Sequence, residues 1–116
     1  VLASAESNLT QIEQTQPVSH PSVYRDWVSI GTTRFHHAYV WTSDFEAELV
    51  SFGSIGCPAV QSAKSGDTQF ANFDSRGLIG CMIEFVTRSE EVEELFRRVE
   101  NASINWDGSD PVKLCN

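Results

Sequence analysis

The sequence predicts an α+β fold in the order strand, helix, strand, strand, strand, with a β-hairpin ahead of it, and three observations carry this reading. An aromatic and β-branched run at residues 35–42 leads straight into a helical pattern opened by Ser43-Asp44-Phe45-Glu46. Three β-prone runs follow, then a second helical stripe. The string Leu2-Ala3-Ser4-Ala5-Glu6-Ser7 returns as Phe70-Ala71-Asn72-Phe73-Asp74-Ser75, and each copy leads within a dozen residues to an Ile-Glu pair, Ile12-Glu13 and Ile83-Glu84. About thirty residues of strand and helix pattern precede the second copy and none precede the first. The chain therefore reads as one complete module behind the last hairpin of another.

Taken in order, residues 1–16 hold two short β-prone runs around the turn-rich centre Glu6-Ser7-Asn8, the orphan hairpin. Residues 17–33 are rich in Pro, Ser and Thr but carry Tyr24, Trp27 and Ile30 as anchors, which makes them an ordered connector. In the strand at 35–42, alternation puts His37, Tyr39 and Trp41 on one face and His36, Ala38 and Val40 on the other. The S-x-x-E string from Ser43 to Glu46 has the form of a capping box, and Phe45, Leu49 and Phe52 continue at helical spacing to a stop near Gly53 or Gly56. Residues 58–63 and 68–74 read as strands joined through Lys64-Ser65-Gly66-Asp67, and 81–87 as the last strand. Ser89 caps a second helix, with Glu90 and Glu91 at its positive end and Val92, Leu95, Phe96 and Val99 as its apolar stripe. Asp107-Gly108 and Asp110-Pro111 close the chain as turns. The domain organisation is thus 1–33 for hairpin and connector, 34–104 for the module with its C-terminal helix, and 105–116 for a tail.

A formal charge of -8 and a pI near 4.7 argue against nucleic acid and anionic membranes, both of which recruit clustered Lys and Arg. Cys57, Cys81 and Cys115 are odd in number and contain no CxxC pair, so neither a disulfide framework nor a thiolate zinc site is expected. No apolar run approaches bilayer length and the start lacks a signal-peptide pattern, which points to a cytoplasmic protein. The first residue is Val1, which fits upstream sequence that would complete the repeat.

Glu84 lies between Met82 and Val86 on one strand face, with Ile83 and Phe85 on the other, so neither face is a solvent face. A carboxylate there must be paired, protonated or bound to a cation. His37 shares its face with two large aromatics, the pattern of a lined cavity with one polar tip. Imidazole and carboxylate together suit a divalent transition metal. The same periodicity also fits a satisfied interior histidine with Glu84 paired to Arg76 or Arg88. His36, which parity sends to the helix-packed face, and His20, beside Pro21 in the connector, are weaker ligand candidates.

The strand, helix, three-strand order, with His37 seven residues before the helix-opening Asp44 and Glu84 in the last strand, resembles the vicinal oxygen chelate superfamily, which includes glyoxalase I, methylmalonyl-CoA epimerase, extradiol dioxygenases and bleomycin-resistance proteins. The segment from Gln11-Ile12-Glu13-Gln14 through Pro21-Ser22-Val23-Tyr24-Arg25-Asp26 is similar to the bridge between modules in glyoxalase-like members. The resemblance covers residues 1 to about 100 and implies a βαβββ module with a mixed, curved sheet, preceded by the hairpin of a partial first module. It implies that His37, Glu84 and Glu13 are metal ligands for Fe, Mn, Co, Ni or Zn, and that Glu13 or Glu84 is the catalytic base. Tyr39, Trp41, Phe70 and Phe73 would line the pocket. The implied activity is that of an isomerase, epimerase, lyase or dioxygenase acting on a small oxygen-chelating substrate through an enolate-type intermediate. The first strand of the first module is missing from this chain, leaving the site one ligand short. An upstream polypeptide, a second copy in a homodimer, or water would supply that ligand. A metal-free protein that binds or sequesters a small molecule in the same cup is the alternative.

Overall fold

Residues 2–7 and 10–114 are described by the computed structural model. The chain runs β1 (Leu2–Ser7), β2 (Thr10–Thr15), β3 (His37–Thr42), α1 (Phe45–Ser54), β4 (Ala59–Ser65), β5 (Thr68–Phe73), α2 (Arg76–Ile79), β6 (Met82–Thr87) and α3 (Glu90–Ser103). Strands β3, β6, β5 and β4 form a mixed sheet in that spatial order, with β3 and β6 parallel and the other pairs antiparallel. The strands β1 and β2 form a separate antiparallel pair. The fold is α+β, and no helix is long and apolar enough to cross a membrane among the described residues.

Alternation along the strands decides what each sheet face touches. Ala71, Phe73, Ile83 and Phe85 point to one face, where α1 lays Phe45, Leu49 and Phe52 over them to make the core. Phe52, Phe73 and Phe85 meet as tilted and edge-on rings with centroids 4.9–5.6 Å apart. Asp44 opens α1 by accepting the Ala47 N–H at 3.0 Å, so the cap is Asp44 and not the Ser43 of the predicted capping box. Ser89 caps α3 as expected, accepting from the Val92 N–H and sharing a 2.6 Å hydrogen bond with the Thr68 hydroxyl. The short α2 was not expected, and it ends at Gly80, whose φ of 79° is the left-handed conformation a C-terminal glycine takes up without strain.

The connector is folded through turns, with the Arg25 and Asp26 N–H groups donating to the Ser22 carbonyl and Val28 to that of Tyr24. Its buried anchor is Val23, whereas the expected anchor Ile30 is 74% exposed. Cys57 and Cys81 are free thiols, and Cys115 lies outside the described residues, as does Asn8 of the predicted hairpin turn.

The sequence repeat extends to strand pairing. Glu84 stands opposite Asn72 in the β5–β6 pair, and Glu13 stands opposite Ser4 in the β1–β2 pair. Ser4 and Asn72 occupy the same place in the repeated string, so the two hairpins carry their glutamates in equivalent register.

Candidate functional site

Strand pairing assembles the second face of the sheet. His37 pairs with Met82, Tyr39 with Glu84 and Trp41 with Val86, while Phe70 and Asn72 pair with Val86 and Glu84 from the other side. Partnered residues in register share a face, so His37, Tyr39, Trp41, Glu84, Asn72 and Phe70 all project away from α1. The connector, α3 and the β1–β2 hairpin pack on this side, and Gln11 Nε2 of β2 donates to the Phe96 carbonyl of α3 at 2.8 Å.

At the centre His37 Nε2 lies 3.6 Å from Glu84 Oε2, with side chains only 11% and 13% exposed. The separation is too long for a hydrogen bond. Burial also disfavours an ion pair here. Burial lowers the His37 pKa, partly opposed by the negative charge of Glu13. Burial also raises that of Glu84 to about 7; the Asn72 hydrogen bond opposes this rise and Glu13 adds to it. Both shifts favour the neutral forms. Glu84 Oε2 accepts from Asn72 Nδ2 at 3.0 Å, and neither Arg76, which pairs with Asp74, nor Arg88, which pairs with Glu93, is its partner.

Two buried oxygens of this face, Tyr39 Oη and Asn72 Oδ1, lack hydrogen-bond partners among the described residues. Burial pushes the Tyr39 phenol well above its ordinary pKa, with the charges of Glu84 and Glu13 adding to the rise. Glu13 itself is exposed on β2, accepts from the Thr15 hydroxyl at 3.0 Å, and acts on His37, Glu84, Tyr39 and Tyr24 through its charge. Among the described residues no group of three or more His, Cys, Asp and Glu stands close enough to hold a metal ion. The hairpin thus brings Glu13 near His37 and Glu84 without putting all three carboxylate and imidazole groups in mutual contact.

The aromatic residues divide differently from the expectation. Tyr39 and Trp41 do lie on this face, but Phe96 of α3 covers them with ring centroids 5.3 and 5.4 Å away. Arg88 stands 5.2 Å from the Trp41 ring at a shallow cleft that Thr42 and Ser43 complete. Phe70 is half-buried on the same face. Phe73 must be corrected: it is fully buried under α1 and belongs to the core, because three residues along a strand reverse the side-chain direction.

His36 also departs from the parity reading. The strand begins at His37, so alternation does not bind His36, and its Nδ1 turns to within 3.0 Å of His37 Nδ1. Its Nε2 meets the Val23 carbonyl at 3.3 Å, and Tyr24 and Trp27 flank the ring at 4.7 and 5.8 Å. Burial lowers its pKa as well. His20 is exposed in the connector. Asn72 was missed from sequence, although a polar residue at the parity of Phe70 inside an apolar strand was the available signal.

Neither a family model nor a curated protein matches this chain.

Proposed function

We propose that the chain is a glyoxalase-like, divalent-metal-dependent enzyme of the vicinal oxygen chelate type, acting on a small substrate with two neighbouring oxygens. The observation that carries the reading is the meeting of His37 and Glu84 at 3.6 Å in a buried setting, with Glu13 biasing both by its charge. The donor chemistry fits: imidazole nitrogen and carboxylate oxygen suit Fe, Mn, Co, Ni or Zn, and the orphan Tyr39 Oη and Asn72 Oδ1 are buried polar atoms awaiting a partner. His37, Glu84 and Glu13 would hold the ion, which when bound supplies Lewis-acid polarisation of substrate oxygens.

The chain's own groups account for the rest. Without an ion, burial pushes the Glu84 pKa up to about 7, so a Glu84 carboxylate released from the ion would accept and return a proton through Oε2. Asn72 Nδ2 holds that oxygen in place at 3.0 Å. The Tyr39 hydroxyl is a donor for a substrate oxygen, and Glu13 is the second carboxylate able to move a proton. A second copy of the chain, a separate polypeptide or water would supply the remaining ligand.

Elemental analysis of protein purified without chelator, with Glu84→Ala and His37→Ala in parallel, tests the reading. Near-stoichiometric metal in the wild type and none in either variant is expected. Absence of metal after reconstitution with Mn, Fe, Co, Ni and Zn would refute it. A second reading, a metal-free small-molecule binding protein, is supported by the buried Tyr39 Oη and Asn72 Oδ1, which would pair with a polar ligand.

A further inference from the structure

We infer that His36 is a positioning residue for His37, fixing the proton of the neutral His37 ring on Nδ1 and leaving Nε2 bare toward Glu84. The Val23 carbonyl can only accept, so His36 Nε2, 3.3 Å away, carries a hydrogen. A neutral imidazole with a hydrogen on Nε2 has a lone pair on Nδ1. That Nδ1 lies 3.0 Å from His37 Nδ1, and two lone pairs at this distance repel, so His37 Nδ1 donates. The remaining nitrogen of His37, Nε2, is then an acceptor, and it is the atom that faces Glu84 Oε2 at 3.6 Å.

The surroundings hold the two rings in this arrangement. The two rings stand edge to face at 83°, and Tyr24 and Trp27 hold the His36 ring from the connector side. Arg34 and Arg76 lie over Trp27 at 4.6 and 5.5 Å. The Met82 N–H donates to the His36 carbonyl at 3.0 Å, tying the residue to the start of β6. Which ring nitrogen of a histidine is available to a metal or proton is set by the hydrogen bond the other nitrogen makes. Here the connector sets it at one remove, through Val23 and His36. The consequence for metal affinity rests on the proposed function, whereas the tautomer itself does not.

Long-range 1H–15N correlation spectra of metal-free protein labelled at histidine nitrogen test the inference. The expected pattern is opposite in the two residues: hydrogen on Nε2 of His36 and on Nδ1 of His37. In His36→Phe, His37 loses its acceptor and shifts toward the Nε2–H form, and Mn2+ affinity falls by about 10- to 100-fold. In His36→Gln, whose amide can donate to Val23 and accept from His37, the Nδ1–H form and the affinity return. A wild-type His37 with its hydrogen on Nε2, or an unchanged His37 in His36→Phe, overturns the inference. If His36→Phe does not fold, the wild-type and His36→Gln spectra decide it. The expected tautomers in a wild type that binds no Mn2+ would uphold the inference and remove the metal reading.

Discussion

Replacing Glu84 with glutamine removes an ionisable group while keeping the shape and the oxygen that accepts from Asn72. The unfolded chain gives up the Glu84 proton near its ordinary pKa of 4.5, but the folded chain holds it until about 7. Between those values the folded state binds more protons, so rising pH favours unfolding. The stabilisation from the protonated carboxyl is complete below pH 4.5 and lost as pH passes about 7. At about 1.4 kcal/mol per pH unit, a rise from 4.5 to about 7 corresponds to roughly 3 kcal/mol. Metal-free Glu84→Gln and wild type should therefore show a stability difference that changes by about 3 kcal/mol between pH 4.5 and 8, in favour of the variant at the higher pH. With a urea dependence of about 1–3 kcal/mol/M, the relative midpoint moves by on the order of 1–3 M. Urea titrations followed by tryptophan fluorescence across that range measure it. Curves that stay parallel with pH would refute the reasoning.

Glu13→Gln should lower the Glu84 midpoint by a fraction of a pH unit, read from carboxyl 13C shifts, because the Glu13 charge contributes to the rise; no change would mean the hairpin does not sit beside Glu84. Phe73→Ala should cost about 3–5 kcal/mol in urea unfolding, as the loss of a fully buried ring in a packed aromatic cluster. Ser89→Ala should cost about 1–2 kcal/mol through the lost cap and the lost contact with Thr68. Phe96→Ala should expose Tyr39 and Trp41, shifting tryptophan emission to the red without the stability loss of Phe73→Ala.

Much of the fold was legible because local rules and tertiary demands agree. The α1 stripe of Phe45, Leu49 and Phe52, the Ser89 cap and the alternation around Glu84 each read the same in sequence and in space. Failures fall where one residue of register decides the outcome. Phe70 and Phe73 are three apart in a strand and so point oppositely, which strict parity would have separated. His36 sits just before β3, where alternation no longer applies, and only the placement of Val23 by the connector turns its ring toward His37. The position of Phe96 over Tyr39 and Trp41 depends on how α3 docks, and its helical spacing marks it only as apolar. Glu13 was legible through the repeat alone, and its equivalent register with Glu84 is what the paired strands bear out.

The energetics of the second sheet face bear on whether it is merely structural. A Gln or Met at position 84 would fill the same space without a carboxyl that weakens the fold by roughly 3 kcal/mol at neutral pH. An unpartnered buried polar atom such as Tyr39 Oη or Asn72 Oδ1 costs about 1–3 kcal/mol more. A domain's whole margin is about 5–15 kcal/mol, so these terms are large. They fall on neighbouring residues of three adjacent strands, β3, β6 and β5, while the opposite face is a conventional packed core. A cation or a hydrogen-bonding ligand at this position would stabilise Glu84 as its anion and satisfy the orphan oxygens together. Gln11 Oε1 on β2 and Arg25 Nε in the connector also lack partners among the described residues, so binding at this face would offset the cost at Glu84, Tyr39 and Asn72 and leave those two atoms as they are.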